Sequence, residues 1–422
     1  MRNNIRKKKI ALLLIGVNDI SGGGGTERLF ADVYDYYYQQ TNPFFDLYLL
    51  TDEKSYRILS SIGKLKDPKR LIRLTNYRLF QGKSRALPIN IQLVKSLIEH
   101  KFDLIHACLP SRWYVPFLSL LSSFPKKQRP KITMNVVDCS LAHSILNQDA
   151  EHYEKQTYSY NAYFNFVAID GVYTWYKLFK HATEQYKVVK RSNPIIMAAK
   201  FCFTDVSRFF PSEQKKKSVV YAARMYKLKR PFFFIEAVKI AHDLDPLTVQ
   251  DWKFLMFGKG PLEKAVCKQI EDYQLTHLVQ VSFQPDLAPI FAKSKLFVST
   301  QEYENFTSLS MLEAMAAGNA IVSRNVGQTD YFVKHKQNGF LLSEDTPHNL
   351  ALMMLEYMRR PDIHQTMQQK SREIATEIHT VHNFVDDIES FWHKVITPYF
   401  TGKNTWYERV SFRIFGVSRK SK

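Results

Sequence analysis

The chain has 422 residues, 45% of them hydrophobic, and carries 59 Lys and Arg against 40 Asp and Glu, a formal net charge of +19. That length exceeds what one hydrophobic core sustains, so two globular domains are expected, and no run approaches the roughly 20 apolar residues of a membrane-spanning helix. The charge asks for an anionic partner: a membrane surface, a nucleic acid or a phosphorylated substrate.

The N-terminus, "MRNNIRKKKIALLLIGV", has the basic-then-apolar order of a signal peptide. Its apolar part, Ile10–Val17, is short, and a glycine cluster follows in place of a small-residue cleavage site, so it reads as a first buried strand. "FDLYLLT" (45–51), "FDLIHAC" (102–108), "KITMNVVD" (131–138) and "FNFVAID" (164–170) read as later strands. Helical periodicity lies between several of them, as in "ERLFADVYDYYYQ" from Glu27. Such alternation predicts a parallel sheet covered on both faces.

The polar, basic stretch "VSRFFPSEQKKKS" (206–218) interrupts the alternation and reads as a linker. The domains are therefore expected over 1–205 and 206–390, with a basic, aromatic tail over 391–422. After the linker, "SVVYAAR", "WKFLMFG", "VQVSF", "KLFVST" and "AIVSR" read as strands. The helix "RPFFFIEAVKIAHD" carries Pro231 near its first turn, where proline is tolerated. In the tail, Trp406, Val410, Ile414 and Val417 lie near one helical face among basic residues. That pattern suits a membrane interface or a helix laid across two domains. A second basic-apolar segment, "KLKDPKRLIRLTNYRLFQGKSR" (64–85), suits an anionic lipid surface; without an RNA-binding motif, nucleic acid is not expected as a partner. Cys108, Cys139, Cys202 and Cys267 show neither metal-ligand spacing nor a disulfide framework, which points to a reducing cytosol.

Four stretches converge on an anionic ligand. "SGGGGTERL" (21–29), after the first strand, lets backbone N–H groups around Gly24 and Gly25 approach a ligand at a helix start, although a flexible turn has the same composition. "AARMYKLKRP" places Arg224 at a strand end with Lys229 five residues on, one fork and one point charge suited to a pyrophosphate. "MFGKGPLEK" makes a tight turn at Gly258 and Gly260. "YENFTSLSMLEAMAAGNAIV" (303–322) sets Glu304 and Glu313 either side of a turn, Asn305–Ser310, whose backbone donors open a helix at Ser308 and Leu309.

In order and spacing, these residues over about 218–345 resemble the nucleotide-sugar domain of family 4 retaining glycosyltransferases. The correspondence rests on Arg224 to Lys229, Gly258-Lys-Gly260-Pro261, Leu312-Glu313-Ala-Met-Ala-Ala-Gly318, Val326-Gly327 and Asn338-Gly339. The first half is looser: "GGGGTERL" resembles the family's first glycine loop, and "FDLIHA" a strand ending in His-Ala. The resemblance implies a GT-B fold: two Rossmann-like α/β domains with parallel sheets facing a central cleft. It implies a nucleotide-sugar donor on the second domain, a saccharide or lipid-linked acceptor on the first, and retention of configuration without metal or other cofactor. Arg224 and Lys229 would stabilise the leaving diphosphate, Glu313 would bind ribose, and His106 would be the acceptor-side candidate. Together with the charge, this suggests surface-polysaccharide assembly on the inner face of a membrane. A sugar phosphorylase or epimerase of the same fold, or a non-catalytic relative, are the alternatives.

Three departures stand out. Glu304 and Glu313 are separated by eight residues where the family has seven, and the seven-residue register falls on Asn305. Cys108 occupies the place of a second histidine, and "NVVD" replaces a strand ending in His-Asp, with His143 five residues past Asp138. Either Glu304 or Asn305 is therefore the sugar-side contact.

Overall fold

The computed structural model describes residues 6–17, 25–41, 43–65, 70–74, 94–95, 97–108, 114–136, 167–186, 196–199, 202–302 and 308–397. They form two parallel sheets.

The first sheet holds β1 (Lys9–Leu13), β2 (Asp46–Thr51), β3 (Leu71–Arg73), β4 (Leu104–Ala107), β5 (Lys131–Val136), β6 (Gly171–Thr174) and β7 (Ile196–Ala199) in the order β3-β2-β1-β4-β5-β6-β7. β1, β4 and β6 are almost continuously buried, as strands covered on both faces must be, which is why their sequences do not alternate. The helices α1 (Gly25–Gln39), α2 (Glu53–Ser61), α3 (Val115–Ser122) and α4 (Lys177–Tyr186) connect them. Asp52 caps α2, accepting from the Ser55 amide at 2.9 Å, and its other oxygen takes the Gly16 amide at 2.8 Å. The exit of β1 is thereby fixed just ahead of the glycine loop.

The second sheet contains β8 (Lys216–Ala222), β9 (Lys253–Phe257), β10 (Val279–Ser282), β11 (Ser294–Ser299), β12 (Ala320–Ser323) and β13 (Gly339–Leu341), ordered β10-β9-β8-β11-β12-β13. Its helices are α5 (Pro231–Leu244), α6 (Pro246–Val249), α7 (Glu263–Asp272), α8 (Ala288–Lys293), α9 (Leu309–Ala316), α10 (Pro347–Arg359) and α11 (Pro361–Ile378). In both sheets the strand order reverses beside the first strand, and the crevice at the carboxyl ends of the strands there is where such folds bind ligands.

Two local expectations shift. The strand expected over 164–170 is Gly171–Thr174 instead: Asp170 precedes it and is tied by Arg129 and by the Ile132 amide, at 2.8 and 2.9 Å, to the start of β5. Within the basic segment 64–85, Leu71–Arg73 is the edge strand β3, with Arg70 paired to Asp46 at 3.0 Å. The remainder, 66–69 and 75–85, lies outside the described residues, as does the tail from 398 onward.

The last helix, α12 (Val381–Ile396), returns to the first domain. Phe384, Ile388, Phe391 and Trp392 are buried, and Trp392 meets Phe45 edge-on at 6.0 Å. The chain thus passes between the domains twice, and the passages are bonded to each other. The Thr204 amide donates to the His379 carbonyl at 3.0 Å, and His379 Nδ1 lies 2.9 Å from the Cys202 carbonyl. A carbonyl only accepts, so that nitrogen carries the proton.

Candidate functional site

A cleft of about 840 Å³ opens between the carboxyl edges of the two sheets. Arg28, Asp32, Ile58, Ile62 and Trp175 face it from the first domain; Arg224, Lys229, Lys259, Ser308, Leu309 and Glu313 from the second.

Arg224 and Lys229 occupy a turn stitched down on two sides. On one side, the Met225 amide donates to the Lys259 carbonyl at 2.9 Å, and the Leu262 amide to the Met225 carbonyl at 3.2 Å. This close approach explains the glycines of "GKG". A Cβ on Gly258 would lie 2.0 Å from the Ala223 carbonyl oxygen, and one on Gly260 would lie 2.5 Å from that of Met225. Their lack of side chains therefore serves backbone packing; Gly258 also lines the cleft, beside Lys259.

On the other side, the Lys229 carbonyl accepts from the hydroxyls of Tyr221 at 3.0 Å and Thr300 at 2.8 Å, while Lys229 Nζ donates to Gln301 Oε1 at 2.6 Å. Arg230 follows with φ +48° immediately before Pro231. A left-handed residue ahead of proline is strained, and Thr300 helps to hold it with a second bond, 3.1 Å, to the Arg230 carbonyl. The ammonium of Lys229 is thus presented from an over-determined backbone.

Glu313 projects from α9. The N-terminal residues of that helix, Ser308, Leu309 and Ser310, line the cleft, and the Ser308 side chain makes no capping bond to them among the described residues. Its C-terminus is closed by Gly318 at φ +67° and by the Asn319 amide on the Ala314 carbonyl at 2.9 Å, the geometry that glycine allows past a helix end. Two basic side chains bind there as well: Lys215, lowered to about 7 by burial and by Lys295, donates to the Ala317 carbonyl at 2.8 Å, and Arg372 to that of Ala316. Cations at a helix C-terminus offset its dipole, leaving the positive end toward the cleft. Burial pushes the Glu313 carboxyl up to about 7; the fields of Arg28 and Arg208 pull it down, and Asp286 and Asp32 raise it. A carboxyl poised there, half-buried in a cleft, is a mark of ligand-binding sites.

Arg28, Asp32, Lys64, Arg208, Tyr221, Thr300 and Gln301 also border the cleft, though none is individually marked as a site residue by the sequence. Lys64 pairs with Asp32, and Arg208 with Asp286 at 2.9 Å. These contacts join residues far apart in the chain, which no local pattern announces.

His106 is not brought to the cleft. It lies on β4 with no exposed surface, Nδ1 2.9 Å from the Thr133 hydroxyl, enclosed by Phe30, Tyr173, Phe391 and Trp392. Burial depresses it to about 3, so it is neutral. Its side chain faces α12, not the strand ends, and the acceptor role expected for it has no support in this placement. Gly24, Glu304, Asn305, Asp138 and His143 lie outside the described residues; Gly25 begins α1.

Residues 204–374 match the family model of glycosyl transferases group 1. Among curated proteins, N-acetyl-alpha-D-glucosaminyl L-malate synthase of Bacillus anthracis is 23% identical over 202 residues, 47% of this chain and 51% of that protein. The GtfA subunit of a UDP-N-acetylglucosamine–peptide N-acetylglucosaminyltransferase of Streptococcus gordonii is 27% identical over 143 residues, 33% of this chain and 27% of that one. The chain thus spans about half the length of the first relative and about a quarter of the second. Among solved structures, Anabaena Alr3699/HepE, crystallised with UDP and glucose, superposes with a TM-score of 0.67 at 17% identity, covering 92% of this chain and 100% of that one. The fold is GT-B, and its second domain carries the group 1 match.

Proposed function

We propose that the protein is a nucleotide-sugar-dependent glycosyltransferase. The observation that carries this reading is the convergence of Arg224, Lys229 and Glu313 on one cavity at the strand-order reversal of the second sheet. The cationic pair takes the donor diphosphate, Glu313 accepts from the ribose hydroxyls, and the opening turn of α9 offers backbone donors. Relatives whose names or complexes contain UDP and N-acetylglucosamine support a uridine donor.

In the proposed reaction the bond between the anomeric carbon and the leaving phosphate oxygen breaks, and a bond forms to an acceptor hydroxyl on the same face. The hydroxyl proton passes to the departing phosphate. Negative charge grows on the diphosphate, where Arg224 and Lys229 meet it, so transfer proceeds without a metal and with retention. Either Glu304 or Asn305 contacts the sugar. The acceptor enters from the first domain and is a saccharide, lipid-linked in our reading, within surface-polysaccharide synthesis at the inner face of a membrane. The basic segments 64–85 and 403–422 support attachment to that surface. No helix among the described residues is long and apolar enough to cross a membrane.

The test is incubation with a panel of nucleotide sugars, UDP-N-acetylglucosamine and UDP-glucose first, following nucleoside diphosphate release and nucleotide binding. Release from at least one donor is expected. Neither release nor binding across the panel would overturn the reading.

A further inference from the structure

The turn between β13 and α10 places one carboxylate behind the cleft wall rather than in it. Asp345 accepts from Arg230 Nη1 at 2.8 and 2.9 Å, and from Arg324 through Nε at 2.5 Å and through Nη2. Each arginine holds a different segment of the second domain's cleft wall. Arg230 directly follows Lys229 and carries the strained backbone of that turn. Arg324 uses its remaining nitrogen, Nη1, on the carbonyls of Gln301 at 2.7 Å and Glu302 at 2.8 Å, the residues that lead into 303–307.

The two segments also touch directly. The Glu302 amide donates to the Leu228 carbonyl at 2.8 Å. Asp345 makes this contact tolerable electrostatically: without it two guanidinium groups would face each other, and with Arg324 nearly buried and Arg230 only partly exposed, water would screen the repulsion only in part. Burial opposes ionisation of Asp345, but the bonds and charges of Arg324 and Arg230 outweigh it and hold the carboxyl below its usual range.

We propose that Asp345 is a positioning residue of the donor site: by pairing with Arg230 and Arg324 at once, it locks the turn that presents Lys229 to the Gln301–Glu302 segment, where the Gln301 side chain takes the lysine's bond. The proposal rests on the glycosyltransferase reading for its kinetic consequence, and on the hydrogen bonds alone for its structural one.

The test combines kinetics and hydrogen exchange on the full chain. With UDP-N-acetylglucosamine as the probe, Asp345→Ala is expected to lower kcat about tenfold or more at temperatures where the variant stays folded, since small misplacements of binding groups are costly in rate. Asp345→Glu should recover part of the loss. In a Lys229→Ala background the same change should cost less than about threefold, because it acts through the lysine. Amide exchange at Glu302 should accelerate at least about tenfold in Asp345→Ala. If that variant does not fold, Arg230→Gln, which leaves Arg324 its carboxylate, is measured in its place with the same expectations. An unchanged exchange rate at Glu302, or a full tenfold loss that persists without Lys229, would overturn the proposal. A wild-type protein that neither turns over nor binds any nucleotide sugar would overturn the functional reading, while the exchange measurement would still decide the role of Asp345.

Discussion

Lys229 and Gln301 meet at 2.6 Å, ammonium on amide oxygen, across the gap between the first and fourth strands of the second sheet. An ammonium is a three-proton donor, and this bond to the amide oxygen fixes the direction in which the group points. Lys229→Ala or Arg224→Ala should lower turnover by roughly two to three orders of magnitude, the scale for one transition-state charge contact. Nucleoside diphosphate release measures it, and it should persist in EDTA. Loss on chelation, restored by Mg²⁺ or Mn²⁺, would refute metal-free transfer.

Glu304 is our choice over Asn305 for the sugar contact, because one extra residue in a turn costs little. A carboxylate accepts from two sugar hydroxyls and stabilises positive charge at the anomeric carbon, which an amide does poorly. Glu304→Gln should abolish most turnover with nucleotide affinity nearly unchanged; Asn305→Ala should be mild. The opposite ranking would assign the role to Asn305.

The Glu313 carboxyl, at about 7 in the fold against 4.5 ordinarily, gives a pH signature. Its raised value means the folded state holds a proton that the unfolded chain has released. This group's contribution to stability is therefore greatest below about pH 4.5 and declines until about pH 7, by on the order of 2–3 kcal/mol. Glu389, also near 7 through burial, acts in the same window, so the comparison must be with Glu313→Gln. Urea midpoints of that variant should gain on wild type between pH 5 and pH 8. Nucleotide affinity of wild type should weaken as pH falls below about 7, and that of the variant should be flat. Parallel curves would remove Glu313 from the site.

Gly258→Ala and Gly260→Ala should each destabilise the second domain by about 3 kcal/mol or more, because the added carbon meets a backbone carbonyl that two strand ends hold in place. Calorimetry would register this as a fall in Tm. A neutral substitution would mean that the two turns separate freely.

Attachment to an anionic surface predicts sedimentation with acidic liposomes that weakens as salt rises, each basic residue near the surface contributing about 1 kcal/mol. Removal of 403–422 should reduce it. Equal binding to neutral and acidic vesicles would count against the electrostatic account.

Much of the fold was legible because doubly covered strands leave unbroken apolar runs: β1, β4, β8 and β11 stand close to where those runs predicted. β6 was displaced because Asp170, paired with Arg129 and Lys131, stands ahead of the strand rather than in it, a long-range ion pair that no local pattern reveals. Arg224, Lys229 and Glu313, singled out through spacing, all line the cleft. His106 was misplaced for a simple reason: a run of buried residues names a strand but not which of its two faces meets the ligand. Tyr221, Thr300 and Asp345 escaped notice since their partners are 8 to 115 residues away and their types are ordinary.

The return of α12 to the first domain carries a consequence for synthesis on the ribosome. Its aromatic face covers Phe30, Tyr173 and His106, yet 181 residues, 200–380, separate β7 from its first residue. At roughly 5–20 residues per second, translation leaves that surface bare for about 10–40 s while the second domain emerges. The first half must wait, sticky and unfinished, for its own last helix. Nascent-chain complexes stalled near residue 205 should therefore bind chaperones strongly, and chains released after Ile396 should not.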